Sequence, residues 1–568
     1  MVVLALSKGD TNMASKKIFG IDLGTTYSCI SYVDDSGKPV VVPNAEGDLT
    51  TPSVVYFESK DNIVVGKQAK NSSKVYPDRV AAFVKRFMGN PSFALSVDGK
   101  EWKPEEISSL VLRKVVGDAG QALGESISDV VITCPAYFGI NEREATKNAG
   151  KLAGLEVRHI LNEPTAAAIC YGVEKKGDSV VLVYDLGGGT FDITVIAIRS
   201  GAIQVIYTDG NHTLGGKDWD DRITNYLAGQ FMKEYPDAGD PRDDPESLQE
   251  IALAAEEAKK GLSSRDRWPQ TVTHKGFRSR VELTRTVIEE ITADLLEQTI
   301  ALTETALREA KSRGYPKIDQ LLLVGGSSRM PVVQRALQDK LGLEGQLFEP
   351  DQAVAKGAAL QGMHILAGDM IKEEVAALTG TAKEDVDLAD VDKKTIEQAA
   401  KAASARSSKL LRLPAKELAE AATRKIVNVA SHSFGVVYLD DNEQKMVSHL
   451  IHAQSPVPAQ KAETFATLQA NQRTVHVQVM ESKSASESSS LDDNKEICNG
   501  DLTDLPPNLP ARSPIEVTFG LADDGTLDVG AVEPRSKREL KIKVKVEGVM
   551  SDDEVERSRT MLMKKAVS

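Results

Sequence analysis

Two short segments of this chain are near-copies of each other, and they restrict its fold more than any other feature. IDLGTT occupies residues 21–26 and YDLGGGTFD occupies residues 184–192. In each segment an aspartate ends an apolar run and is followed by glycine and then threonine. Glycine permits a tight turn and lets backbone N–H groups approach an anion, while the hydroxyl and carboxylate groups can address phosphate and a hydrated metal ion. Two such turns predict two similar lobes that close on one polyphosphate.

Neither turn matches the common nucleotide-binding fingerprints. The chain contains no GxxxxGK[ST] P-loop, and neither turn fits the GxGxxG pattern of dinucleotide-binding proteins, which disfavours a dehydrogenase. A single copy of either turn would indicate no more than the end of a strand. A second copy and a third glycine turn, LLLVGGSSRMP at residues 321–331, make coincidence improbable.

Composition excludes several classes of partner. The 568 residues predict three or four folding units, and a hydrophobic content of 41% is enough for sizeable cores. Lys and Arg number 69 against 83 Asp and Glu, so no basic excess favours nucleic acid. No apolar run approaches the roughly 18 residues that span a bilayer, and the four cysteines form no CxxC pair. We therefore expect a cytoplasmic protein with neither a nucleic-acid partner nor a membrane partner.

Patterns along the chain divide it into five parts. Residues 1–16 are predicted to be a disordered leader, and residues 17–370 alternate β-branched runs with helical patterns, which indicates an α/β architecture. Residues 371–424 are rich in Ala and charge and predict a partly helical, mobile connector. Residues 425–548 change to a period of two and predict an antiparallel all-β domain. In residues 549–568, Ser551 followed by Glu554 forms a capping box that predicts a short helix.

Seven segments, in the same order and spacing, resemble the seventy-kilodalton heat-shock chaperone family of the actin-like ATPase superfamily. They cover roughly residues 17–369 and read GIDLGTTYS, ITCPAYF, LNEPTAAAICYG, DLGGGTFD, LGGKDWDDR, VGGSSRMP and PDQAVAKGAA. The similarity continues into the β block through NQRTVHVQV and PIEVTFGLADDGTLDV. It implies an α/β actin-like two-lobed ATPase domain, an all-β sandwich domain, and a lid reduced to a short C-terminal helix stub.

The resemblance also implies how the cleft would act on ATP. Asp22 and Asp185 would face Mg²⁺, mostly through water, and K⁺ is a further candidate ion. Phosphoryl transfer depends on in-line placement and charge neutralisation more than on covalent chemistry. The implied catalytic residues are Lys85, Glu163, Thr190 and Asp192.

A larger set would hold the nucleotide, ATP or ADP. The implied contacts are Gly24, Thr25, Thr26, Tyr27, Gly187, Gly188, Gly189, Gly215, Gly216, Glu256, Lys259, Ser263, Gly325, Gly326, Ser327, Arg329 and Asp351. By spacing alone, Glu256 and Lys259 would equally suit an ordinary salt bridge on a helix surface. Lys217 stands where the family usually carries Glu, and this reversal of charge beside the cleft bears on nucleotide affinity.

Two further sets follow from the resemblance. Pro135 and Arg143 resemble the pair that passes the nucleotide state to the outer face of the first domain, although a strand-ending proline and a helix-surface arginine are the plain alternative. The implied peptide contacts are Val436, Leu439, Phe465, Leu468, Val475, Val477 and Ile515. Core packing is the alternative for these apolar residues, and both interpretations are expected to apply to different members.

Three departures from the family pattern affect the expected mechanism. KIVN at residues 425–428 replaces an apolar interdomain linker that ends in Asp, so we expect the linker to dock weakly. His159 and Asn428 replace an Arg and an Asp of the J-domain docking site, so a J-domain partner is expected to bind weakly or differently. The shortened lid predicts brief retention of peptide.

The sequence therefore predicts a monomeric, ATP-dependent chaperone that binds extended apolar segments of unfolded proteins and hydrolyses ATP slowly. A J-domain co-chaperone and a nucleotide-exchange factor are its expected partners. One alternative is a non-hydrolysing, ATP-binding co-chaperone, such as an exchange factor or a ribosome-associated helper. A sugar kinase of the same superfold is a third possibility, which the β-sandwich disfavours.

Overall fold

The computed structural model describes residues 17–174, 177–406, 413–440, 442–484, 487–543 and 549–568, so the predicted leader lies outside the described residues. We call residues 17–174 the first lobe. Its elements are β1 (Ile18–Asp22), β2 (Tyr27–Val33), β3 (Pro39–Val41), β4 (Thr51–Pro52), β5 (Val55–Phe57), β6 (Asn62–Val65), α1 (Lys67–Ser72), β7 (Val80–Ala81), β8 (Leu95–Val97), β9 (Lys100–Trp102), α2 (Pro104–Leu123), β10 (Asp129–Cys134), α3 (Ile140–Leu152), β11 (Glu156–Asn162) and α4 (Glu163–Glu174). The main sheet has the order β11-β10-β1-β2-β3, with β4 paired to β2.

The second lobe comprises residues 177–352. Its elements are β12 (Ser179–Leu186), β13 (Phe191–Arg199), β14 (Ala202–Asn211), α5 (Gly216–Glu234), α6 (Pro245–Leu262), β15 (Arg267–His274), β16 (Phe277–Thr284), α7 (Arg285–Ile291), α8 (Ala293–Ser312), β17 (Gln320–Val324), α9 (Pro331–Leu341) and β18 (Gly345–Leu347). Strands β12 and β13 are antiparallel, and β17 joins β12 in parallel.

Each lobe presents its glycine turn in the same way. The turn after Asp22 connects the antiparallel strands β1 and β2, in which Asp22 lies opposite Cys29. The turn after Asp185 connects the antiparallel strands β12 and β13, in which Asp185 lies opposite Asp192. In each hairpin the aspartate thus lies at or next to the end of the first strand, with one leucine between it and the first glycine, so the repeated sequence corresponds to a repeated structure.

The helices that follow are packed against the lobes. Helix α10 (Ala353–Thr379) runs without a break past residue 370, and α11 (Lys393–Arg406) and α12 (Ala415–Ala422) pack beside it. Ile371, Val375 and Leu418 belong to one buried cluster with several alanines. The described residues of the predicted connector are thus helical and packed, while its mobility stays a prediction. Small alanine side chains let these helices approach closely, although each of them contributes little to a hydrophobic pattern.

The linker is docked in the structure, while the weakness of this docking stays a prediction. Strand β19 (Ile426–Val429) pairs in parallel with β14 and antiparallel with β22 (Pro456–Val457). It is an inner strand of a sheet ordered β18-β17-β12-β13-β14-β19-β22. The Thr165 hydroxyl on α4 also donates to Asn428 Oδ1 at 3.0 Å. Strand pairing uses backbone groups, so the polar residues of KIVN do not prevent it.

The β block forms two four-stranded sheets packed on a common core. Their strands are β20 (Phe434–Leu439), β21 (Lys445–Ile451), β23 (Ala459–Ala466), β24 (Val475–Ser482), β25 (Asn494–Leu502), β26 (Pro514–Leu521), β27 (Leu527–Glu533) and β28 (Arg538–Lys543). The orders are β21-β20-β24-β25 and β23-β26-β27-β28. Val479, Ile497 and Phe519 are completely buried between the sheets.

Residues 549–568, which we call the C-terminal strap, pack on the first lobe. Helix α13 (Asp552–Leu562) begins with the predicted capping box, in which Glu554 Oε2 accepts a hydrogen bond from Ser551 N at 2.8 Å. The helix contacts α3, and β29 (Ala566–Val567) extends the small sheet of the first lobe by pairing in parallel with β6. Val555 and Leu562 join the same core as Ile107 and Ala149. The strap is therefore part of the hydrophobic core of the first lobe.

Candidate functional site

The two glycine turns face each other across a cleft between the lobes. A Cβ added to Gly188 would lie 2.1 Å from Thr26 Oγ1, and one added to Gly189 would lie 2.3 Å from Thr25 Cγ2. Such separations are far below van der Waals contact, so a larger residue would push the turns apart. A cavity of about 480 Å³ opens beside them. Its size is in the range of pockets that hold small-molecule ligands.

Most of the residues predicted to bind nucleotide line this one cavity. The predicted residues present are Asp22, Gly24, Thr25, Thr26, Tyr27, Lys85, Glu163, Asp185, Gly187, Gly188, Thr190, Gly216, Glu256, Lys259, Ser263, Gly325, Gly326, Ser327, Arg329 and Asp351. Gly189, Gly215 and Asp192 lie outside the lining. Gly189 and Gly215 support the turn from behind, since a Cβ on Gly215 would meet the Gly189 backbone at 2.5 Å.

Lys85 and Glu163 form a buried ion pair at the base of the cavity. Lys85 lies in a short 3-10 helix (Val84–Phe87), and Glu163 begins α4. The two side chains are only 6% and 9% exposed. Burial alone would lower the pKa of Lys85, but the charges of Glu163 and then Asp22 raise it. The ammonium therefore stays charged at the point where the two turns converge.

Three aspartates crowd the same end of the cleft. Burial, and after it the charge of Glu163, raises the pKa of Asp22 to about 7. The same causes raise the pKa values of Asp185 and Asp192 well above their usual range. One oxygen of Asp192 accepts from Ala136 N at 2.9 Å, and its Oδ2 is buried without a hydrogen-bond partner among the described residues. Carboxylates thus outnumber Lys85 here, and a further cation would relieve their repulsion.

Magnesium fits this donor set. Among the described residues no group of three or more His, Cys, Asp or Glu side chains converges as a complete metal cage. Mg²⁺ does not require one, because it keeps several waters and binds through one or two carboxylates plus substrate phosphates. Asp22 and Asp185 supply two carboxylates beside the phosphate-type turns.

The opposite end of the cleft is rich in cations. Glu256 forms an ion pair with Lys70 of the first lobe at 2.5 Å and with Lys260 at 2.6 Å, and it accepts from the Tyr27 hydroxyl at 3.2 Å. Although burial opposes the shift, Lys70 and Lys260 lower the pKa of Glu256 to about 2. Lys259 donates to the Gly216 carbonyl at 2.7 Å. Glu256, which was predicted to contact the nucleoside, therefore already forms ion pairs with lysines of both lobes.

Several residues of the cavity were missed by the sequence-based prediction. Thr50, Asp220, Lys260, Met330, Pro350 and Val354 also line it. Lys260 carried a local signal, because it follows Glu256 by four positions on the same helix. Lys70 is 186 positions from Glu256, and no local pattern relates the two.

Comparison with known families agrees with this geometry. A family model described as Hsp70 protein matches residues 18–417 and 416–568. The chain belongs to the Hsp70 protein family. Membership supports a chaperone-type ATPase at the level of the family, with the nucleotide binding, unfolded substrates and co-chaperones that the family implies. In the part of the Hsp70 chain that is described, no helix is long and apolar enough to cross a membrane.

In this Hsp70 chain Pro135 and Arg143 lie between the cleft and the sandwich. The Arg143 guanidinium donates to Asn162 Oδ1 at 2.6 Å and to the Phe138 carbonyl at 2.9 Å. A Cβ added to Gly525 of the sandwich would lie 2.6 Å from Arg143 Cδ. Arg143 therefore contacts both the first lobe and the sandwich, while Pro135 directly follows the buried strand β10.

A polar joint connects the sandwich to the lobes beside this pair. Glu481 Oε1 accepts from Ile140 N, the first residue of α3, at 3.2 Å. The Gln454 side chain exchanges two hydrogen bonds with the Thr208 backbone, at 2.8 and 3.1 Å. Burial raises the pKa of Glu481 to about 7. We call this cluster of contacts the interdomain joint.

The predicted peptide contacts differ in how far they are buried. Val436, Val477 and Ile515 are buried in the sandwich core, and Phe465 and Val475 pack against that core. Leu439 is half-buried, whereas Leu468 is 66% exposed. Leu468 is thus the member most accessible to an incoming segment, and Val436, Val477 and Ile515 are part of the packed core.

Proposed function

We propose that this Hsp70 chain is an ATP-dependent chaperone that hydrolyses ATP slowly with Mg²⁺ and binds extended apolar segments of unfolded proteins. The observation that carries this proposal is the buried Lys85–Glu163 pair between two facing phosphate-type turns. A buried ammonium at this position can stabilise the charge that develops during phosphoryl transfer, and a buried carboxylate can orient water.

Each residue of the cleft then has a defined task. Asp22 and Asp185 would hold Mg²⁺, which neutralises phosphate charge when it is bound. Lys85 would hold the terminal phosphate, while Glu163 and Asp192 would orient the attacking water. The turns at residues 24–27 and 187–190 would grip the phosphates by backbone N–H groups and threonine hydroxyls. Gly325, Arg329 and Asp351 would contact the nucleoside at the far end of the same cavity.

The sandwich would supply the peptide site. Antiparallel sheets can bind an extended segment through backbone hydrogen bonds, with pockets for alternate side chains. Leu439 and Leu468 would contact apolar side chains at the surface, above the packed Val436 and Val477. We propose cytoplasmic, monomeric action, with a nucleotide-exchange factor and a J-domain partner. Asn428 is 5% exposed and bonded to Thr165, so this partner would meet an altered docking surface.

A second candidate is a non-hydrolysing, ATP-binding co-chaperone. It is favoured by one observation, namely that the linker strand and the C-terminal strap both fasten the sandwich to the lobes. Such an arrangement suits a protein that presents a fixed surface to another chaperone. The retained Lys85, Glu163, Thr190 and Asp192 favour the enzyme.

Steady-state ATP hydrolysis by the full chain with Mg²⁺, with and without an unfolded peptide, tests the proposal. Lys85→Ala should keep nucleotide binding and lose about 10²–10³-fold in turnover, the size seen when one charge-stabilising donor is removed. Lys317→Ala, at a side chain 83% exposed, is the matched control and should turn over normally. Binding without hydrolysis in the wild type would select the second candidate, and equal turnover in Lys85→Ala would remove Lys85 from the reaction.

A further inference from the structure

Lys217 lies at an unusual place for a cation. It is the second residue of α5, where the positive end of the helix dipole disfavours a lysine. Its backbone is fixed against the phosphate-type turn, because Lys217 N donates to the Gly188 carbonyl at 2.8 Å. Its ammonium forms an ion pair with Asp221 one turn further along the helix. The ion pair with Asp221 compensates for the positive charge, but it does not explain why a lysine stands at this position.

The same ammonium reaches across the cleft. Lys217 Nζ lies 5.3 Å from the centre of the Phe83 ring, which belongs to the first lobe. This distance is within the range of a cation–π contact, about 6 Å from the ring centre. Phe83 has φ 59°, a left-handed conformation that is strained for an aromatic residue, and it directly precedes the 3-10 helix that carries Lys85. The strained turn places the ring under Lys217.

The contact also lies between two cavities. Lys217 lines the nucleotide-sized cavity and a second cavity of about 330 Å³ that Phe83, Asp221, Thr224 and Leu253 help to line. Thr25 and Thr26 line both cavities as well. The two cavities thus meet at this contact between the lobes. The ammonium and the ring therefore hold the lobes together beside the phosphate end of the cleft.

We propose that Lys217 and Phe83 form a cross-lobe contact that slows release of bound nucleotide, with Lys217 as a positioning residue. The inference rests on the proposed nucleotide binding and does not depend on hydrolysis. Release requires the lobes to separate, and separation breaks the contact between Nζ and the ring. Asp221 belongs to the same helix as Lys217, so its ion pair survives separation and does not oppose it.

Release of ADP that carries a fluorescent N-methylanthraniloyl group, chased with excess ATP and Mg²⁺ from the full chain, measures the effect. Lys217→Gln and Phe83→Leu should each speed release about fivefold, which at 1.36 kcal/mol per decade is about 1 kcal/mol. The double variant should be no faster than either single variant, because both changes remove one contact. Lys217→Arg should restore slow release, since a guanidinium also binds an aromatic face.

Asp221→Asn is the matched control and should leave the release rate unchanged. Additive effects in the double variant, or a Lys217→Gln rate equal to that of the wild type, would overturn the inference while leaving the proposed function intact. Failure of the wild type to bind the labelled ADP or ATP would overturn both. Circular dichroism of each variant checks that a faster rate does not come from unfolding.

Discussion

Two of the attachments of the sandwich to the lobes differ in their chemistry. The interdomain joint consists of hydrogen bonds, among them Glu481 to Ile140 N and the Gln454 side chain to the Thr208 backbone. The C-terminal strap instead buries Met550, Val555 and Leu562 at 6%, 1% and 0% exposure. A hydrogen bond that is exchanged for water changes the free energy by only about 0.5–1.5 kcal/mol, whereas each fully buried large apolar side chain contributes about 1.5–3 kcal/mol.

This difference separates an adjustable attachment from a permanent one. We expect the joint to open more readily than the strap, since water replaces each lost bond. The strap cannot leave the first lobe without exposing the core that it completes. Three measurements test whether this division is correct, beginning with the largest expected effect.

Leu562→Ala should lower the free energy of unfolding by about 2–5 kcal/mol, because it removes a completely buried side chain and leaves a cavity. Urea unfolding of the full chain measures the change. Met563→Ala, at a residue 53% exposed in the next position, is the control and should cost about 0.5 kcal/mol or less. Similar losses in the two variants would mean that the strap is not a core element.

ATP should accelerate peptide release by less than about a hundredfold, which corresponds to some 2.7 kcal/mol of coupling. The physical reason is that the strap is part of the core of the first lobe, so we expect it to keep the sandwich near that lobe in either nucleotide state. Release of a fluorescent Leu-rich peptide in ATP and in ADP measures the ratio. Leu562→Ala should increase it by loosening the strap. A hundredfold ratio in the wild type would show that the strap does not limit coupling.

The joint should weaken as the pH rises through about 7. Burial raises the pKa of Glu481 from 4.5 to about 7. Between these two values the closed joint keeps a proton on Glu481 that an opened joint releases, and this proton stabilises the closed joint. The stabilisation is lost as the pH rises past 7. His432 has the opposite effect below 6.5, because burial lowers its pKa from 6.5 to about 4. Burial, followed by the charge of Glu481, also raises the pKa of Glu142.

The contribution of Glu481 is therefore unopposed by His432 between pH 6.5 and 8. Hydrogen exchange at the Ile140 amide, corrected for its intrinsic rate, should show less protection at pH 8 than at pH 6.5. Glu481→Gln should flatten this dependence. An Ile140 amide whose corrected protection stays constant from pH 6.5 to 8 would contradict the assignment.

Local patterns predicted local structure well and long-range pairing poorly. The capping box of Ser551 and Glu554 correctly gave the start of α13, because a cap depends on residues three positions apart. The place where that helix packs depends on Asn148, 402 positions away from Met550, and no periodicity encodes it. The glycine turns revealed the cleft because each is a self-contained motif. The Lys70–Glu256 ion pair was not predicted, because its two residues belong to different lobes.

The packing of the connector and the strand pairing of the linker were not predicted, for a different reason. Their side chains suggested mobility and weak docking, since the segment is rich in alanine and charge and KIVN is partly polar. In the structure, alanine faces pack against α10, and β19 is held by backbone hydrogen bonds. Neither close helix approach nor strand pairing requires strongly apolar side chains, so hydrophobic patterning gave little indication of either.

The strap also sets the order in which the first lobe can be completed during synthesis. Asn148 on α3 donates to the Met550 carbonyl, and the two residues are 402 positions apart. At a translation rate of about 5–20 residues per second, the lobe waits roughly 20 to 80 s for these last pieces of its core. Throughout that interval the apolar face that later receives Val555 and Leu562 is open to water. During its own synthesis, the chain thus exposes the kind of unfinished surface that chaperones recognise.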